Sequence, residues 1–237
     1  MWDGYDYKDF EFEGRKATVV FPKTADKLRN WTLKTEYQYA FVEEEMALLE
    51  RGFHVAYLEN NNRFATKEDC DAKARFAEFL HAKYNLRDKC VLVGMSLGGA
   101  HAVNFAGFYP EKVVCMFIDA PVLNFLNYPG KPQCKSVWEN EFVKAYPGIT
   151  RAELLNFENH PMNKIPVLKE HKIPIIMLYG DDDKTVDYSE NGRLMEYEYE
   201  DMPELLTVIK RECQGHHPHG FPQKPEIVAD FIEEHSK

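Results

Sequence analysis

The stretch "CVLVGMSLGGAHAVNF", residues 90–105, passes from an apolar strand pattern through Gly94-Met95-Ser96-Leu97-Gly98 into a helical pattern. Two readings compete. A glycine-rich strand-to-helix turn can cradle a phosphate, or it can lift a serine onto a strained corner as a nucleophile. The lysine of a phosphate-binding loop is missing, and so is the glycine spacing of a dinucleotide fingerprint. With four serines and 13 glycines in 237 residues, a Gly-x-Ser-x-Gly match arises by chance in about one such sequence in a hundred. The strained corner needs small neighbours two residues either side of the serine, and Gly94 and Gly98 supply them. Ser96 is therefore the candidate nucleophile, at the C-terminal end of a central strand.

Working outward, strand and helix patterns alternate. "DFEFEG" and "KATVVFP" read as a hairpin turning at Glu13-Gly14. "WTLKTE" (31–36) and "FHVAYLE" (53–59) read as strands. They flank a helix in which Phe41, Leu48 and Leu49 share one face and three glutamates lie elsewhere. Thr66 and Asp69 form a capping-box-like start to the next helix. "KVVCMFIDAPV", "IPIIMLYG" and "ELLTVIKREC" complete the strands, and a last helix runs from Pro225 to His235. Such alternation predicts an α/β fold: a mainly parallel sheet with an antiparallel N-terminal edge and helices on both faces. Residues 122–172 break the rhythm. They carry no strand pattern and read as a small helical cap inserted into a single domain spanning 1–237.

Composition narrows the class. Apolar residues make up 44% of the chain, and the formal net charge is −10. No basic stripe offsets that charge, so neither nucleic acid nor an anionic membrane is an expected partner. The five cysteines show no Cys-x-x-Cys spacing, which argues against a disulfide framework and a zinc site. The polar, acidic start lacks the features of a signal peptide, and no stretch is long enough to span a bilayer. A cytoplasmic location is expected.

A serine hydroxyl needs a base, and the base needs an orienting acid. In this topology the chain order is serine, acid, histidine. "GDDDKTV" after the next-to-last strand offers Asp183, three residues past Gly180, with Val186 as an apolar anchor. Asp119 is the rival acid, because "CMFIDAPV" also sets it at a strand end. Nine histidines are spread over the chain, but His216, His217 and His219 crowd into "GHHPHGF" after the last strand. His216 follows Gly215 and is the first choice of base, with the other two as alternatives. The trio could also hold a metal. No carboxylate or cysteine at ligand spacing accompanies it, so no metal and no cofactor is expected. An oxyanion needs two backbone donors. The N–H of Leu97 is one, and that of Tyr37, after the third strand, is the choice for the other. Glu36 is odd beside developing negative charge. It and His217 are candidates to bind substrate.

"VGMSLGG", "GDDDKTV" and "GHHPHGF", in this order and context, resemble the α/β-hydrolase superfamily over nearly the whole chain. "KTEYQYAF", "DAPV", "ENG" (190–192) and "HHPHG" are similar to a group of bacterial esterases of prolyl-oligopeptidase type. The resemblance implies Ser96, Asp183 and His216 as a catalytic triad. The segment around Glu36 and Tyr37 departs from the His-Gly found there in many hydrolases. The expected activity is that of a serine hydrolase cleaving a small-molecule carboxylic ester through an acyl-enzyme. Short or aromatic acyl groups on plant-derived carbohydrate would suit it. A peptidase or amidase of the same fold is the alternative, and a non-catalytic binding protein is a weaker one. The oligomeric state stays open.

Overall fold

The computed structural model describes residues 2–237. Its opening hairpin depends on two residues that adopt a left-handed backbone. Glu13 and Gly14 have φ of 51° and 76°, and a tight turn of that kind matches the twist of the strands it joins. These strands are β1 (Asp6–Phe12) and β2 (Arg15–Phe21), paired antiparallel. The chain then adds β3 (Trp31–Lys34), β4 (His54–Leu58), β5 (Cys90–Met95), β6 (Val113–Asp119), β7 (Ile175–Gly180) and β8 (Leu206–Arg211). The order across the sheet is β1-β2-β4-β3-β5-β6-β7-β8. β2 meets β4 antiparallel, and every pairing from β4 through to β8 is parallel. The expected fold class is borne out.

Alternation along the central strands divides the core in two. Leu92, Met116, Ile118, Ile175 and Met177 pack with α2 (Lys67–Tyr84) and α3 (Leu97–Phe108). Their neighbours Val91, Val93, Phe117, Ile176 and Leu178 pack on the other face. There they meet Leu48 of α1 (Glu43–Glu50) and residues of the C-terminal helix (Glu226–His235). A strand buried on both faces must be apolar throughout. Burying each large apolar side chain contributes about 1.5–3 kcal/mol.

Helix α1 departs from its expected form. Phe41 precedes the helix, and two of the three glutamates that open it, Glu44 and Glu45, are fully buried. Glu45 is paired at 2.7 Å with Lys34 of β3, which is itself buried. Between β6 and β7, residues 122–172 hold no strand, only 3-10 turns, an irregular helical stretch around Trp138–Phe142 and α4 (Ile165–Glu170). After β7 come α5 (Gly192–Glu198), β8 and the C-terminal helix, α6. Among the described residues no helix is long and apolar enough to cross a membrane.

Candidate active site

Ser96 stands between β5 and α3 with φ 54° and ψ −120°. That backbone region costs of order 1–3 kcal/mol for a residue with a β-carbon, so the surroundings must impose it. Ser96 N–H donates to the Asp119 carbonyl at 2.9 Å, and Val122 N–H donates to the Ser96 carbonyl at 3.0 Å. The corner closes tightly enough that a β-carbon on Gly94 would collide with the Gly98 carbonyl. One on Gly98 would lie 3.1 Å from the Glu36 β-carbon. The Thr35 hydroxyl donates to the Gly98 carbonyl at 2.7 Å, which ties the segment after β3 to the same corner. Leu97 opens α3, so its N–H has no partner within the helix.

Beside Ser96 the structure brings together residues far apart in sequence. His216 Nε2 lies 3.0 Å from Ser96 Oγ, and His216 Nδ1 lies 2.6 Å from Asp183 Oδ2. Asp183 follows β7, where the loop turns back on itself. Its Oδ1 accepts the Thr185 and Val186 N–H groups at 2.8 and 2.9 Å. Burial alone would push this carboxyl up. The bonds from His216, Val186 and Thr185 outweigh burial and hold it below the usual carboxylate value. Asp119 is not part of this chain of contacts. Its Oδ1 accepts Arg211 Nη2 at 2.5 Å, and its Oδ2 accepts Gly220 N–H at 2.6 Å.

The loop carrying the histidines is held from below by charge. Arg211, at the end of β8, also donates to the carbonyls of Pro218 and Gly220 at 3.1 and 2.8 Å. Glu44 accepts the Phe221 N–H. Gly220 has φ 76°, and a β-carbon there would lie 2.6 Å from Glu44 Oε1, so glycine is required. Burial raises the Glu44 carboxyl from 4.5 to about 7, and neighbouring Glu45 adds to the rise. Below about pH 4.5 it is protonated in folded and unfolded chains alike. As pH rises toward 7 the unfolded chain ionises first, so stability falls, by about 3 kcal/mol in all. Urea unfolding of Glu44→Gln at pH 5 and pH 8 should show that component removed. An undiminished fall would disprove the assignment.

A cavity of about 270 Å³ opens over Ser96. Tyr37 lines it with φ 54°, together with Arg63, Tyr128, Val186, His216 and His217. Glu36 does not reach it. Its carboxylate accepts from Asn60, whose side-chain oxygen in turn accepts from buried Lys73. Desolvation raises the Glu36 carboxyl. His217 is exposed and stacks on Phe41 with ring centroids 5.8 Å apart. Among the aromatic residues of 122–172, only Tyr128 lines this cavity. Phe125, Trp138, Tyr146 and Phe157 pack with Phe142 into an internal cluster. Arg63 is a site residue that sequence reasoning missed. It donates to the Tyr37 hydroxyl at 2.8 Å and to Glu141 at 3.1 Å. Its only signal is a lone cation in the "NNNRF" loop after β4. A second cavity, of about 540 Å³, adjoins the first through Tyr128 and Thr185 and is lined by Lys131, Asp187 and Tyr188 among others.

No protein-family model matches the chain, and no curated protein matches it in sequence. Solved structures do match. A Pyrococcus horikoshii acylaminoacyl peptidase shares 15% identity over 97% of this chain and 41% of its own, with a TM-score of 0.73. Est1E from Butyrivibrio proteoclasticus shares 13% over 97% of this chain and 98% of its own, at 0.69. A Pyrococcus furiosus esterase shares 16% over 97% and 91%, at 0.67. The chain thus spans well under half the length of the peptidase. At these identities the likeness is one of fold, and that fold is the α/β-hydrolase fold.

Proposed function

We propose that the protein is a serine hydrolase that cleaves carboxylic esters through an acyl-enzyme. The observation that carries this is the unbroken chain from Ser96 Oγ to His216 at 3.0 Å and from His216 to Asp183 at 2.6 Å. In this reading Ser96 Oγ attacks the acyl carbon while His216 Nε2 takes its proton. The N–H groups of Leu97 and Tyr37 receive the oxyanion. The alcohol then leaves with the proton from His216, and water repeats the steps to release the acid and free Ser96. Asp183 keeps the His216 proton on Nδ1 and stabilises the imidazolium. Residues 122–172 serve as the cap. The 270 Å³ space suits a short acyl chain or a single aromatic ring, and the larger cavity beside it, where Lys131 and Asp187 offer polar groups, suits the alcohol. Esters on plant-derived carbohydrate are the finer expectation carried by the sequence resemblance.

A fluorophosphonate probe tests the reading directly. It should form one adduct per chain, located by peptide mass spectrometry on Ser96. A chain that stays unlabelled would overturn it. The fold likeness to an acylaminoacyl peptidase makes amide cleavage the second reading. Matched aryl ester and anilide substrates separate the two: the ester should turn over much faster, and comparable anilide turnover would favour the peptidase.

A further inference from the structure

We propose that His216, His217 and His219 form a binding site for a divalent transition-metal ion of the zinc or copper class, and that the ion switches hydrolysis off by taking His216 Nε2 from Ser96. Each histidine offers one ring nitrogen, and the three nitrogens lie within 4.8 Å of one another. A tetrahedral ion holds such nitrogens at about 2.0–2.1 Å from itself, or roughly 3.4 Å apart. The closure required is at most about 1.4 Å, and exposed His217 meets its share by leaving its stack on Phe41. Imidazole nitrogen is the ligand these ions favour.

His219 supplies the independent observation. Its side chain is 1% exposed, and neither ring nitrogen has a hydrogen-bond partner. Buried polar side-chain atoms are nearly always partnered, so this ring is built to meet something. Its Nδ1 lies 3.3 Å from Asp119 Oδ2, without the alignment of a hydrogen bond. A carboxylate behind one ring nitrogen is the arrangement that orients a histidine toward a metal through the other. Sequence spacing could not supply that carboxylate, because Asp119 arrives from another strand. On His216, Nδ1 is engaged by Asp183, which leaves Nε2 as the ligand. Nε2 has one lone pair. Given to a metal, it can no longer accept the Ser96 proton. The inhibitory half of the proposal rests on the hydrolase reading above, and the binding half does not.

The full-length protein, stripped with EDTA and dialysed, is titrated with zinc chloride in a calorimeter. One ion per chain is expected. His217→Ala and His219→Ala should each weaken binding by at least about tenfold. His217 is exposed, so its variant keeps the test open if His219→Ala fails to fold. Ser96→Ala should bind zinc as the wild type does. Cobalt in place of zinc should give the visible absorption of a tetrahedral site. Aryl ester hydrolysis should fall in step with zinc occupancy and return with EDTA. No saturable binding, or binding that His217→Ala retains in full, would overturn the site. Undiminished hydrolysis at saturation would overturn the switch. Zinc bound through these histidines in a chain that Ser96-directed probes never label would retain the site and reject the hydrolase reading.

Discussion

Replacing Ser96 with alanine is expected to lower kcat for a short aryl ester by at least about 10⁴-fold. The variant loses only Oγ and its 3.0 Å contact with His216. Alanine occupies the same backbone angles at the same cost, and the bonds that impose them involve backbone atoms of Ser96. The thermal midpoint should therefore stay close to wild type, so that lost rate reports lost chemistry. Asp183→Asn probes the same machinery from its far end. The asparagine oxygen would keep the Thr185 and Val186 N–H groups and turn its amide nitrogen to His216. His216 Nδ1 would then have to accept, and the ring proton would move to Nε2, facing Ser96. A base already protonated there cannot take the serine proton, and a loss of about 10³–10⁴ results. Retention of more than about a tenth of the wild-type rate by Ser96→Ala would sink the mechanism.

The parts of this molecule that are legible in its sequence are those written locally. Gly94, Ser96 and Gly98 sit within five residues, and the steric demand that links them acts over the same distance. The continuous apolar runs of β5, β6 and β7 announce burial on both faces. Choices among neighbours are less legible. His216, His217 and His219 look alike in sequence, and only their partners separate them. Asp183 takes the first, Phe41 stacks on the second, and Asp119 backs the third. Asp119 and Asp183 are both plausible acids by position, and only Arg211, 92 residues from Asp119, separates them by claiming it. Glu44 and Glu45 mislead for the same reason. A glutamate off the apolar face of a helical pattern gives no local sign of burial, and the partners that bury these two come from β3 and from the loop at Phe221. Glu36 stands next to the oxyanion segment in sequence, yet Asn60 and Lys73 hold it away from the cavity.

Arg211→Met is expected to destabilise the fold by about 3–5 kcal/mol and to depress kcat more than it raises KM. Methionine has about the stem of arginine and none of its donors. The change strands Asp119, which is 0% exposed, as a buried carboxylate without its cation. It also leaves the Pro218 and Gly220 carbonyls without the guanidinium. For a chain of this size, each kcal/mol moves the midpoint by about 2–4 °C, so the melt should drop by roughly 6–20 °C. The rate effect comes from position. The guanidinium joins the end of β8 to the end of β6 beneath the loop that carries His216, and displacing that ring by about 1 Å costs about 10²-fold. The double variant Arg211→Met with Asp119→Leu distinguishes a lost attraction from a stranded charge. Removing both partners of a buried pair is often close to neutral, so much of the stability should return. The Gly220 N–H, which donates to Asp119 at 2.6 Å, would then lose its acceptor as well. The loop should therefore stay loose and the rate low while the melt recovers. Full recovery of both would mean that the ion pair stabilises the fold without positioning His216.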